Sequence, residues 1–75
     1  MKLYFKTKIV IDNTATGDHA RDEREKLELT VQEVAEGMGY TISVLSKLEL
    51  GHRNWTDRKV WLFNAALKEL SKYNA

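Results

Sequence analysis

Between Gly39 and Gly51 the chain reads YTISVLSKLEL. Thr41, Ser43 and Ser46 bring hydroxyls to this stretch and Lys47 brings an ammonium. Hydroxyls donate or accept, and an ammonium only donates. Such groups suit hydrogen bonding to a polar or anionic partner. They make or break no covalent bond without a base beside them. Elsewhere the chain offers no convergent nucleophile–base pair and no glycine-rich phosphate cradle. His19 and His52 lie far apart with no third ligand, and there is no Cys. A zinc site, a thiolate site and a disulfide are therefore not expected. With no catalytic, metal or cofactor chemistry in view, recognition is what remains. The stretch then poses a difficulty, because Ile42 and Val44 stand where a reader of polar edges would want polar atoms.

Seventy-five residues allow one small domain. A chain of this size buries only about 60% of the surface its unfolded form exposes. The net charge of +1 is unevenly laid out. Residues 1–11 carry +3, residues 12–39 carry −5, and residues 40–75 carry +3. The basic C-terminal half suits an anionic partner, and the acidic middle should turn away from it. No apolar run approaches the roughly 20 residues of a membrane span, and no signal peptide is visible. A cytoplasmic chain is expected.

Residues 2–11, KLYFKTKIVI, alternate. Leu3, Phe5, Thr7, Ile9 and Ile11 share one face under period two, and β-branched and aromatic residues dominate. The pattern predicts a β-strand, ended by the turn-rich DNTATGD. From Asp18 onward the chain reads helical, with Ala20, Arg24 and Leu27 at helical spacing. Thr30 and Glu33 have the spacing of a capping box, and Leu29 and Val34 that of a hydrophobic staple. Gly39 suits a left-handed stop, Thr41 a new N-cap, and Gly51 a second stop. A last helix starts near Thr56 and places Val60, Phe63, Leu67 and Leu70 on one stripe.

The expected fold is mainly α: one N-terminal strand and four helices, divided as arm and turn over residues 1–16 and helical domain over 17–75. A lone strand has no ladder partner. It either pairs with its copy in a two-fold dimer, through Leu3, Phe5, Ile9 and Ile11, or lies as an extended arm over the helices. The paired ribbon is the preferred reading.

The stretch from Gly17 to Leu67 resembles the phage-repressor type of helix-turn-helix domain, the Cro/CI or XRE family. The pattern is carried by Arg24, Thr30, Val34-Ala35, Gly39, Thr41, Leu45-Ser46, Leu48-Glu49 and Gly51, in register and without a gap. The resemblance implies a lambda-repressor-like domain in which Arg24 and Glu49 form a structural ion pair. It also implies that the third helix reads DNA, with Ile42, Ser43, Ser46 and Lys47 pointing out. Lys47 is the candidate for guanine O6 or N7, the serines are permissive, and Ile42 suits a thymine methyl.

Phosphate contacts are expected around that reader. Thr30, Val31 and Gln32 open the second helix, where backbone N–H groups point at an anion. The family often has Gln directly after the cap; Val31 departs from this, with Gln32 one place later. Thr41 caps the reader. His52, Arg53 and Asn54 follow it, and Arg58 and Lys59 extend the set. Trp55 is expected to buttress this loop, and Trp61 to be core or dimer interface.

These readings imply a sequence-specific regulator of double-stranded DNA, most simply a small phage or mobile-element repressor acting as a homodimer on an inverted repeat. The other class is a protein-interaction module, antitoxin-like, using the same fold with DNA binding secondary. The apolar N-terminal segment separates them. Buried in a homodimer it supports the repressor; left accessible, it awaits another partner.

Overall fold

A computed structural model describes residues 1–74, with side chains described through Lys72. Four helices follow one another: α1 (Asn13–Lys26), α2 (Val31–Met38), α3 (Ile42–Glu49) and α4 (Asp57–Asn74). α2 packs against α4 and α3, and α1 packs against α3. Ala20, Val34, Ala35, Leu45, Leu48, Trp55, Phe63 and Leu67 form the centre of the core.

Each helix start is chemically marked. Asp12 accepts from the N–H of Ala15 at the head of α1. Thr30 accepts from Glu33 N–H while the Glu33 carboxylate accepts from Thr30 N–H, closing a capping box on α2. Thr41 accepts from Val44 N–H, and Thr56 from Lys59 N–H. DNTATGD is thus not a turn: Asp12 is a cap and the rest is the beginning of α1. Asp and Asn favour turns and N-caps for the same reason, a short side chain that reaches a nearby backbone N–H.

Three helix ends share one device. At α2 the N–H of Tyr40 reaches Ala35 O and that of Gly39 reaches Glu36 O. At α3, His52 N–H reaches Lys47 O and Gly51 N–H reaches Leu48 O. Both glycines have φ of +81°, as this left-handed stop requires. α1 ends in the same bonds, Leu29 N–H to Arg24 O and Glu28 N–H to Glu25 O, but with Glu28 at φ +57°. The helical spacing that took in Leu27 thus fails at its end: α1 stops at Lys26, and Leu27 faces solvent. Leu29 turns inward to the core beside Val34, as the staple pairing predicts.

The N-terminal β-strand is not found. Among the described residues the only β-type pairing is an isolated bridge between Phe5 and Ile11 of the same chain. The segment turns back on itself. Lys6 N–H donates to Val10 O at 2.7 Å, Asp12 N–H to Tyr4 O at 2.6 Å, and the Thr7 hydroxyl accepts from Ile9 and Val10. Nor is it an extended arm. Period two fails because the reversal puts alternate residues on different sides: Leu3 and Ile11 pack on the core of their own chain, while Phe5 and Ile9 face solvent. With those two spent internally and no strand to extend, the proposed pairing of Leu3, Phe5, Ile9 and Ile11 across a dimer is overturned. The root of the segment is held by Tyr4 N–H on the buried Thr16 hydroxyl and by Asn64 on Met1 O.

Candidate nucleic-acid interface

α2 and α3 are held at their angle by buried contacts. Val34 and Ala35 of α2 meet Leu45 and Leu48 of α3 in the core, and none of the four is solvent-accessible. Tyr40, directly after the turn, is half-buried against the same cluster. Val44 is half-buried too, so its apolar side chain serves packing. The difficulty it posed in the sequence is removed.

Behind the reader lies a buried charge pair. Arg24 Nε donates to Glu49 Oε2 at 2.7 Å and Nη2 to Oε1 at 3.0 Å. Its Nη1 donates to the carbonyl of Leu29 at 2.8 Å. The guanidinium thus ties α1, the α1–α2 connection and the end of α3 together. Bonding to Glu49 holds the Arg24 guanidinium above its ordinary range, against the opposing effect of burial. Both partners are buried, and among the described residues no buried side-chain N or O lacks a hydrogen-bond partner.

On the outer surface of α3, Ile42, Ser43 and Lys47 are exposed and Ser46 is half-buried. Ile42 is 49% exposed with no polar atom on its side chain. At the head of α2, Thr30 and Gln32 are exposed, whereas Val31 packs partly against the core and offers only its backbone N–H. Gln32 donates to Glu36 one turn on. Thr41, His52, Arg53, Asn54 and Arg58 are exposed. Lys59 is partly covered and donates from Nζ to Asn54 O at 2.6 Å, fastening the first turn of α4 to the loop after the reader.

That loop is built on Trp55. The indole is fully buried, donates to Leu48 O at 2.9 Å, and meets Phe63 edge-on with centroids 5.9 Å apart. Trp61, expected in the core or at a dimer interface, is 68% exposed on the single chain and so is not core. It neighbours the buried Val60 in sequence, but one residue along a helix rotates the side chain by about 100°.

The arrangement is two short helices joined by a tight glycine turn, the second with a polar outer face and a basic loop at its end. Residues 21–72 match the helix-turn-helix family. The chain belongs to that family. The match covers well over half the chain and agrees with the Cro/CI and XRE resemblance drawn from the residues. Comparison with curated proteins and with solved structures gives no match. A helix-turn-helix domain is a DNA-binding regulatory module and carries no catalysis. Among the described residues no helix is long and apolar enough to cross a membrane.

Two contributors to this helix-turn-helix domain escaped the sequence reading. Asn13 bridges the head of α1 to the loop, accepting from Trp55 N–H at 2.8 Å and donating to Asn54 Oδ1 at 3.1 Å. An Asn after an Asp cap gives no hint of a bond across 41 residues. Gly17 lets α1 touch α3. Here a signal did exist, since Gly17, Ala20 and Arg24 repeat at helical spacing, two small residues leading to the buried charge.

Proposed function

We propose that this protein is a sequence-specific, double-stranded DNA-binding transcriptional regulator, a small repressor of the phage or mobile-element kind. The observation that carries the reading is the outer face of α3: Ile42, Ser43, Ser46 and Lys47 stay outside the core, on a helix clamped by the Arg24–Glu49 pair. The N-terminal residues of such a helix enter the major groove. Lys47 is the base-reading cation and Ile42 meets a thymine methyl. The head of α2, through Thr30, Val31 and Gln32, and the residues Thr41, His52, Arg53, Asn54, Arg58 and Lys59 hold the phosphates. The protein acts by occupying its operator, in the cytoplasm. Two copies on an inverted repeat place their readers about 34 Å apart. The N-terminal segment is not what joins them.

Selection of bound sequences from a random duplex pool tests the reading. It expects a consensus with an early thymine in each half-site and inverted symmetry. Recovery of no consensus would remove sequence-specific recognition.

The second reading, a protein-interaction module of the antitoxin type, has an observation in its favour. Phe5, Ile9 and Val10 of the N-terminal segment are exposed, Ile9 by 88%, and Trp61 stands out from α4. Apolar surface of this kind marks contact sites. Co-purification of a stoichiometric protein partner that abolishes duplex binding would favour it.

A further inference from the structure

The loop at residues 5–11 lies against the segment that follows the reader. Ile9, Val10 and Ile11 form one wall of an open cleft of about 310 Å³, and Asn13, Asn54 and Trp55 form the other. The bonds from Asn13 to Asn54 and Trp55 fix the two segments to each other at the root of the loop. The loop carries Lys6 and Lys8, both exposed and neither in an ion pair among the described residues. Asn54, on the cleft wall, follows the exposed Arg53 in sequence and accepts from the ammonium of Lys59 through its carbonyl. Residues 1–11 contain no acid, so the +3 of this segment adds directly to the basic loop beside it.

We infer that Lys6 and Lys8 form a second phosphate-binding element, which continues the surface of Arg53 and Asn54 onto DNA flanking the site read by α3. The inference rests on the DNA-binding reading above. The exclusion of the segment from any strand makes it available for this role. Cations that share one surface repel one another, and a polyanion relieves that repulsion. Phosphate contacts set position and affinity but carry no base information. The loop therefore strengthens binding without altering the sequence preferred.

Fluorescence anisotropy of the full chain on a mixed-sequence duplex of roughly 30 base pairs, titrated with potassium chloride, tests this. Three proteins are compared: the parent, Lys6→Ala/Lys8→Ala, and Lys68→Ala/Lys72→Ala. The last pair removes the same charge from α4, where Lys68 lies roughly 16 Å along the helix from its start at Asp57. Each lost phosphate contact makes the slope of log affinity against log salt shallower by about one. The loop variant should lose about two units of slope and the α4 variant none, with all three melting alike by circular dichroism. The consensus selected by the loop variant should equal that of the parent. Equal slopes for the parent and the loop variant would overturn the inference and leave Phe5 and Ile9 to a protein partner. An equal loss in the α4 variant would also overturn it, by tracing the effect to net charge. A parent that binds no duplex would bring down the DNA-binding reading itself.

Discussion

Gly17 of α1 lies directly on the backbone of α3: a Cβ built on it would stand 2.6 Å from the carbonyl oxygen of Glu49, and closer still to that of Leu48. The same Glu49 receives Arg24 two turns further along α1. One face of α1 therefore grips the end of the reader twice, once by bare approach and once by charge. The position of α3 is set by α1 as much as by the turn that joins it to α2.

Gly17→Ala places two preferences in opposition. Alanine favours a helix interior by about 1 kcal/mol over glycine. The new methyl meets two backbone carbonyls that cannot rotate away, and such overpacking costs about 1–3 kcal/mol. The clash should win. Urea denaturation should show a lower midpoint with an unchanged slope; a higher midpoint would mean that α1 can shift off α3 freely.

Arg24→Ala strands the Glu49 carboxylate, which is 5% exposed, in the core. Removing one member of a buried pair costs about 3–5 kcal/mol. In a domain of this size that loss approaches the whole stability. Replacing both, as Arg24→Met with Glu49→Leu, removes the charges together and should recover most of it. Thermal melts compare the two. A double variant as unstable as the single one would show that shape, and not charge pairing, is what the site needs.

Gly39 and Gly51 share φ of +81° but not surroundings. A Cβ at Gly39 meets nothing within 4 Å, whereas one at Gly51 would lie 2.6 Å from the Thr14 hydroxyl and 2.8 Å from Thr14 Cα. Gly39→Ala should cost only the left-handed backbone penalty, about 1–2 kcal/mol. Gly51→Ala should cost that plus the collision with α1. Equal losses in urea titrations would show that Thr14 moves aside.

Glu28 occupies the same left-handed position at the end of α1, at φ +57°. Glu28→Gly relieves a strain of about 1–2 kcal/mol and gives back part of it as greater freedom of the unfolded chain. A small net gain is expected, seen as a rise in melting temperature. A fall would show that the Glu28 side chain contributes more than its backbone costs.

Lys47→Ala removes the one cation on the outer face of α3. If Lys47 reads guanine, the selected consensus should relax at one position, with a loss of about 1–3 kcal/mol on the preferred duplex. Uniform weakening across all sequences, with the consensus intact, would make it a phosphate contact.

Much of the helical domain was legible because its signals are local. A capping box needs only Thr30 and Glu33 three residues apart, and a left-handed stop needs only Gly39 or Gly51 after an apolar repeat. The Val60, Phe63, Leu67 and Leu70 stripe predicts a buried face by period alone; the first three are buried and Leu70 is half-buried against the core. Trp61 lay outside that stripe, and its exposure follows from the same rotation. The end of α1 was not legible, because Glu28 adopts a backbone conformation that its type rarely takes. The apolar alternation of residues 2–11 misled for a different reason. Period two describes a strand only where a neighbour accepts its backbone bonds, and here those bonds close within the segment.

Residue order thus decided where three of the four helices start, where α2 and α3 stop and which faces are apolar, since each depends on groups a few bonds apart. Only the folded chain decided that Leu3 and Ile11 are spent on their own core and that Asn13 fastens the loop after the reader. It also set Gly17 against α3 and brought Ile9, Val10 and Ile11 to one cleft with Asn54 and Trp55. The contacts of Asn13 and Gly17 join residues 31 to 42 positions apart. Their energies exist only once the helices have packed, and no local pattern carries them.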